Sequence, residues 1–276
     1  MWGWLLELKL LCVGLAGFAV ACLVIETAGP CAGKVFGESD ANLYTRTIVE
    51  LLLALYVADF VTGCIHMLLD FQTVEDDELR LHFETTVPAV EEFEKMPLFT
   101  KATERDRYLW NFHSHHEAVF PSSDSQLELF MQLFQYVRVV WPLFFMGYYY
   151  GYIPEATSRV WLVALIVGLP TQQTHFLAHA RKRGLLKDYP FIEALQDYRI
   201  ILHPDAHSAH HTTFNCNFCI LNGWANPLMN QVARLLTHAG VLAEEPPTAR
   251  NRREREEMKS KAPRPVTPDA VPVAAK

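Results

Sequence analysis

The residues best suited to chemistry in this chain are its histidines, twelve in 276 residues, and most of them are grouped. His113-Ser114-His115-His116, His175-x3-His179 and His207-x2-His210-His211 form three groups, and His66 precedes them alone. Spacings of three and four residues place side chains on one face of a helix. Imidazoles gathered in this way can converge on a metal ion. Any one of these histidines taken singly reads as a surface or core residue, but three groups plus His66 read as a metal site. Asp59, Gly63, His66 and Asp70 also fall at helical spacing along one stripe. Few acids accompany the groups, so the donor set is almost entirely imidazole. That suits iron, copper or zinc rather than the carboxylate-rich site of a soluble di-iron bundle. Eight or more candidate ligands are too many for one ion, so a pair of ions is implied.

Elements able to position such a site are legible in the apolar runs. Half of the chain is hydrophobic, 20% is charged and 12% is aromatic, a composition that excludes disordered and low-complexity classes. A net charge of -7 argues against a nucleic-acid partner, because phosphate binding needs a basic surface. Four long runs stand out: Trp4 to Ile25, Ile48 to Leu69, Leu129 to Tyr150, and Val160 to Ala180. About 20 apolar residues in a helix span the hydrocarbon core of a bilayer. The first run lacks a basic start and a small-residue cleavage site, so it reads as an anchor rather than a signal peptide. Pro170 interrupts the fourth run, and Asp59 sits inside the second, where it should be buried against the bundle interior.

These runs predict an all-α, polytopic membrane protein with about four transmembrane helices. If the spans alternate, every histidine and both termini share one side, together with Arg181-Lys182-Arg183. The positive-inside rule makes that side cytosolic. The acidic stretch from Phe71 to Glu128 separates spans two and three. From Glu244 onward Pro, Lys, Arg, Glu and Ala dominate, which reads as a disordered tail dispensable for chemistry. Six cysteines show no disulfide framework, and Cys216-x2-Cys219 reads as a coincidental pair in a packed loop. His82 and His238 read as plain surface residues.

Two irons held by histidine at a membrane surface is the arrangement of integral-membrane desaturases and hydroxylases. Protein side chains have no oxidant for an unactivated C–H bond, so the metal carries the hard step. The run Ala58-Asp59-Phe60-Val61-Thr62-Gly63-Cys64-Ile65-His66, followed by Asp70, resembles the signature of the Kua-type membrane lipid desaturase family. That family takes in enzymes acting on plasmanylethanolamine and on plastid phosphatidylglycerol. His115-His116, Thr171-Gln172-Gln173-Thr174-His175-x3-His179, Leu195-Gln196-Asp197, His207-x2-His210-His211 and Asn217 to Asn226 fit it in order. The chain differs at Met67, where the family usually has Trp, and in a longer segment between His66 and His115.

The resemblance covers roughly residues 50 to 230. With the apolar runs and the tail, this divides the chain into a first transmembrane span and non-cytosolic loop over 1–47, a lipid desaturase domain over 48–242 and a disordered tail over 243–276. The resemblance further implies the site. It assigns His66, His115, His116, His175, His179, His207, His210 and His211 as ligands of two Fe ions. Asp70 would orient the His66 imidazole by accepting its second N–H. Asp197 and Asn226 are further candidates to orient ligands, each with a cap or turn reading beside it; His113 and His203 stay outside the ligand set. The implied reaction is insertion of a double bond into an alkyl or acyl chain of a phospholipid, using O2 and two electrons. No GxGxxG fingerprint is present, so the electrons must come from a partner, cytochrome b5 and its reductase by resemblance. The absence of an Arg- and Ser-rich start favours the endoplasmic reticulum over the plastid. A lipid hydroxylase would use the same metals. A metal transporter would place its histidines in the span centres.

Overall fold

The second apolar run forms one continuous helix, α1, over Asp40–Asp70. The computed structural model describes residues 40–81, 97–116, 142–153 and 155–261, and among the described residues there is no strand. After α1 come α2 (Asp77–Leu81), α3 (Pro97–Lys101), α4 (Glu104–Ser114), α5 (Glu155–Val167) and α6 (Thr171–Lys182). Then follow α7 (Pro190–Asp197), α8 (Pro204–Thr213), α9 (Asn226–His238) and α10 (Pro247–Lys261). Residues 142–149 are helical as well.

Within α1, Thr47–Asp70 is a 24-residue stretch long and apolar enough to cross a membrane. The expected first span lies outside the described residues, and so does most of the third. The expected fourth span, Val160 to Ala180, is not one straight helix: α5 and α6 meet at an angle of 43°. Pro170 is the cause, since it has no N–H to continue the ladder, and a tight turn closed by the Thr171 N–H on the Gly168 carbonyl at 3.1 Å takes its place. Each side closes its own end, with Gly168 N–H donating to the Ala164 carbonyl and Thr174 N–H to that of Pro170, both at 2.9 Å. Among the described residues one helix, or two counting the bent pair, has the length and composition of a span.

Helices α1 and α5 pack along Ala54, Val57 and Ala58 on one side and Val160, Trp161 and Ala164 on the other. The alanines allow close backbone approach, as in membrane helix pairs. Ile48, Leu51, Leu52, Leu162 and Ile166 point outward and stay exposed, as a lipid-facing surface would. Farther along α1, Phe60 and Met67 pack against Phe218, Cys219, Met229 and Ala233 of the α8–α9 loop and α9. Gly63 makes that contact feasible, because a Cβ there would sit 2.5 Å from the Cys219 Sγ.

Asp59 is fully buried, as its position in the span required. Its Oδ1 accepts the backbone N–H groups of Leu221, Asn222 and Gly223 at 3.0–3.2 Å, and its Oδ2 accepts that of Ala225 at 2.9 Å. One carboxylate thus pins the whole turn entering α9 to the middle of α1. Asp59→Ala leaves four backbone donors unmatched, the three buried ones of Leu221, Asn222 and Ala225 at about 1–3 kcal/mol each before relaxation. The expected outcome is a fall in thermal stability of about 3 kcal/mol or more, read by melting of the purified protein in detergent. A melting temperature equal to the parent's would count against this role.

The segment from Glu244 does not form a disordered tail throughout, because Pro247–Lys261 is the helix α10. Polar contacts rather than an apolar face hold it in place. Arg80 on α2 donates to Asn251 Oδ1 at 3.0 Å and to Glu254 Oε2 at 2.6 Å. Arg255 donates to the Arg80 carbonyl at 3.3 Å. Pro247, Thr248 and Asn251 are buried.

Candidate metal centre

Four helices bring the histidines together. The turn before the last of α1 carries His66, the end of α4 carries His115 and His116, α6 carries His175 and His179, and α8 carries His207, His210 and His211. Local caps set the registers. Thr103 caps α4 by accepting the Asp106 N–H, and His203 caps α8 by accepting the Asp205 N–H at 3.2 Å. Pro204 suits the first position of α8, and Phe214 ends it in a left-handed conformation at φ 57°.

The eight histidines form two groups of four, each with its ligand atoms within 4.8 Å of one another. One group is His66, His115, His116 and His210, and the other is His175, His179, His207 and His211. In the second, Nε2 of His207 lies 2.8 Å from that of His175, 2.9 Å from that of His179 and 2.8 Å from that of His211. In the first, the Nε2 atoms of His116 and His210 are 3.0 Å apart. The groups adjoin, with ring centroids 4.8 Å apart for His116 and His211 and 5.2 Å apart for His115 and His175.

Backbone carbonyls determine which ring nitrogen carries the proton. His210 Nδ1 faces the Cys216 carbonyl at 2.8 Å, and His115 Nδ1 faces that of Phe112. A carbonyl only accepts, so both protons sit on Nδ1 and each Nε2 presents a lone pair. Burial, reinforced by the neighbouring imidazoles, holds His116 and His207 well below the ordinary histidine pKa. His115 is likewise held far down by burial, against the opposing pull of its carbonyl partner. Neutral imidazoles are what a metal requires. Four Nε2 atoms facing one another cannot all be satisfied by protons, whereas one cation satisfies all of them. The donor set therefore fits a pair of metal ions.

Asp70 does not serve His66 alone. Its Oδ2 lies 3.4 Å from His66 Nε2 and 3.3 Å from His210 Nε2, and its Oδ1 lies 3.4 Å from His116 Nε2. The other candidates stand apart. Asp197 pairs with Arg181 at 2.8 Å, and Asn226 accepts the Cys219 N–H at 2.9 Å to shape the loop before α9. His113 faces the Leu69 carbonyl at 3.0 Å and joins α4 to the end of α1; burial pushes its pKa down to about 4. Cys216 and Cys219 are both free, and His238 ends α9. His82 lies outside the described residues.

Residues that spacing did not single out complete the centre. Phe112, Phe214 and Phe218 wall it, with Phe112 5.2 Å from His66, Phe214 4.9 Å from His116 and Phe218 5.2 Å from His210 by ring centroids. Arg252 of α10 donates from Nη1 to the His211 carbonyl and from Nη2 to the His116 carbonyl, both at 3.0 Å. The same guanidinium lies 4.4 Å over the Phe214 ring. One side chain thus bridges a histidine of each group. No motif announced it, since it stands in a charged run without periodicity.

The chain matches the family model of the lipid desaturase domain over residues 55–239, about two thirds of its length. No curated protein and no solved structure matches it. All eight grouped histidines and Asp70 fall inside the matched region, whereas α10 lies beyond it. A match of that extent decides the family, and the chain belongs to the lipid desaturases, oxidoreductases of lipid metabolism.

Proposed function

We propose that the chain is an integral-membrane di-iron desaturase of the Kua type. It inserts a double bond into an alkyl or acyl chain of a phospholipid, and vinyl-ether formation on plasmanylethanolamine is the reading favoured by the sequence resemblance. The observation that carries the reading is the pair of adjoining four-histidine groups at the end of a membrane-length helix. His66, His115, His116 and His210 would hold one iron, and His175, His179, His207 and His211 the other. The iron pair, when bound, supplies the oxidising power that the side chains lack. Overall, the substrate loses two hydrogens while O2, two electrons and two protons complete the formation of two waters.

The chain's own residues hold and shield the centre. The Cys216 and Phe112 carbonyls keep His210 and His115 in the tautomer that binds through Nε2. Phe112, Phe214 and Phe218 pack on the histidine rings and shield them from bulk water, which limits side reactions. Exposed Tyr189, Phe191 and Tyr198 around α7 suit the interface between lipid and water. The histidine face and both termini are cytosolic, in the endoplasmic reticulum, within reach of cytochrome b5 and its reductase.

The test is lipid profiling of membranes that lack such an activity, before and after adding this chain, with iron measured on the purified protein. A product lighter by two hydrogens, with close to two irons per chain, is the expected result. A product heavier by one oxygen would make the enzyme a hydroxylase. Zinc as the sole metal with activity retained would reject the di-iron reading.

A further inference from the structure

We propose that Asp70 is itself a ligand of the metal held by His66, His115, His116 and His210. The two metal positions are then unequal, four imidazoles and a carboxylate at one and four imidazoles alone at the other. The inference rests on the metal-pair reading above.

Three distances carry it. Donor atoms bound to one ion at about 2.0–2.2 Å lie roughly 3.0–3.4 Å from one another. The Asp70 oxygens lie 3.3–3.4 Å from the Nε2 atoms of His66, His116 and His210. His210 is decisive, because its proton is committed to the Cys216 carbonyl through Nδ1. Its Nε2 therefore meets the carboxylate lone pair to lone pair; a proton could relieve that single contact, whereas one metal ion satisfies all three nitrogens that the carboxylate faces.

A carboxylate that merely orients a ligand faces the nitrogen turned away from the metal. Asp70 does not occupy that place. The Nδ1 atoms of His66 and His116 have no partner, and that of His210 is taken by Cys216.

The position of Asp70 is otherwise unfavourable for an anion. It is fully buried, and neither oxygen has a hydrogen-bond partner. It is the last residue of α1, whose final turn carries no basic residue and whose dipole repels negative charge. A buried carboxylate without donors either takes up a proton or finds a cation, and the three Nε2 atoms that face it favour the cation, since one proton relieves only one of those contacts. Histidines alone make up both groups of four, and Asp70 faces three members of the first, His66, His116 and His210. A hard oxygen donor at one position favours the more oxidised, harder metal state there, while the all-imidazole position favours the softer state.

The experiment is Mössbauer spectroscopy with metal analysis on the purified full-length chain loaded with isotope-enriched iron, for the wild type, Asp70→Asn and Asp70→His. Two distinct doublets of equal area are expected from the wild type. Asp70→Asn, nearly isosteric, should keep the helical content and the elution volume of a folded protein while losing one of the two irons. Asp70→His restores a neutral donor, so it should regain iron while its two doublets draw together. A wild type with two irons and an Asp70→Asn spectrum unchanged from it would overturn the ligand role and leave the di-iron reading intact. A wild type that binds no iron pair would overturn both.

Discussion

His210→Ala is expected to abolish turnover and release iron while the protein remains in the membrane at its usual amount. The side chain is fully buried, 3.0 Å from His116 Nε2 and 3.3 Å from Asp70 Oδ2, at the middle of the first group. Its removal reduces that group to three imidazoles. It also strips the Cys216 carbonyl of its donor, at about 1–3 kcal/mol. The α1–α5 interface involves none of these atoms, so insertion and folding of the scaffold should persist. Iron per chain, turnover and the quantity in the membrane fraction are the three readouts. Retained iron with retained turnover would remove His210 from the ligand set.

Ending the chain after Ala243 is expected to cost both iron and activity, whereas ending it after Lys261 preserves α10 and should spare both. Composition alone pointed the other way, towards a dispensable tail. Arg252 reverses the expectation, because it ties the His116 and His211 carbonyls together across the two histidine groups. Hydrogen bonds to a charged group contribute about 1.5–3 kcal/mol. Its stacking on Phe214 adds about 0.5–2 kcal/mol. Arg252→Ala should therefore reproduce much of the truncation, with lower iron occupancy and a lower melting temperature. Arg252→Lys should recover only part, since an ammonium lacks the planar fork that spans two carbonyls. Full activity in the chain ending at Ala243 would show that α10 only rests on the centre.

Local pattern was enough to read a helical chain whose histidines are grouped as a metal site would need. The apolar run from Ile48 to Leu69 became the membrane-length part of α1, because apolar length and helical geometry are properties of a single segment. Asp59 in that run had to be buried and partnered, and it is. The histidine groups were visible because spacings of three and four residues are helical neighbours.

Only the tertiary structure decided how those groups divide. His210 and His211 are adjacent in sequence yet belong to different groups of four, since successive residues on a helix point about 100° apart. His207 and His211, one turn apart, join His175 and His179 because α8 packs on α6. Which nitrogens Asp70 faces, the bend at Pro170 and the bridge made by Arg252 depend likewise on neighbouring helices. Spacing along a helix is local geometry that a sequence carries. The partner of each helical face is a result of packing among segments distant in the chain, and no short pattern encodes it.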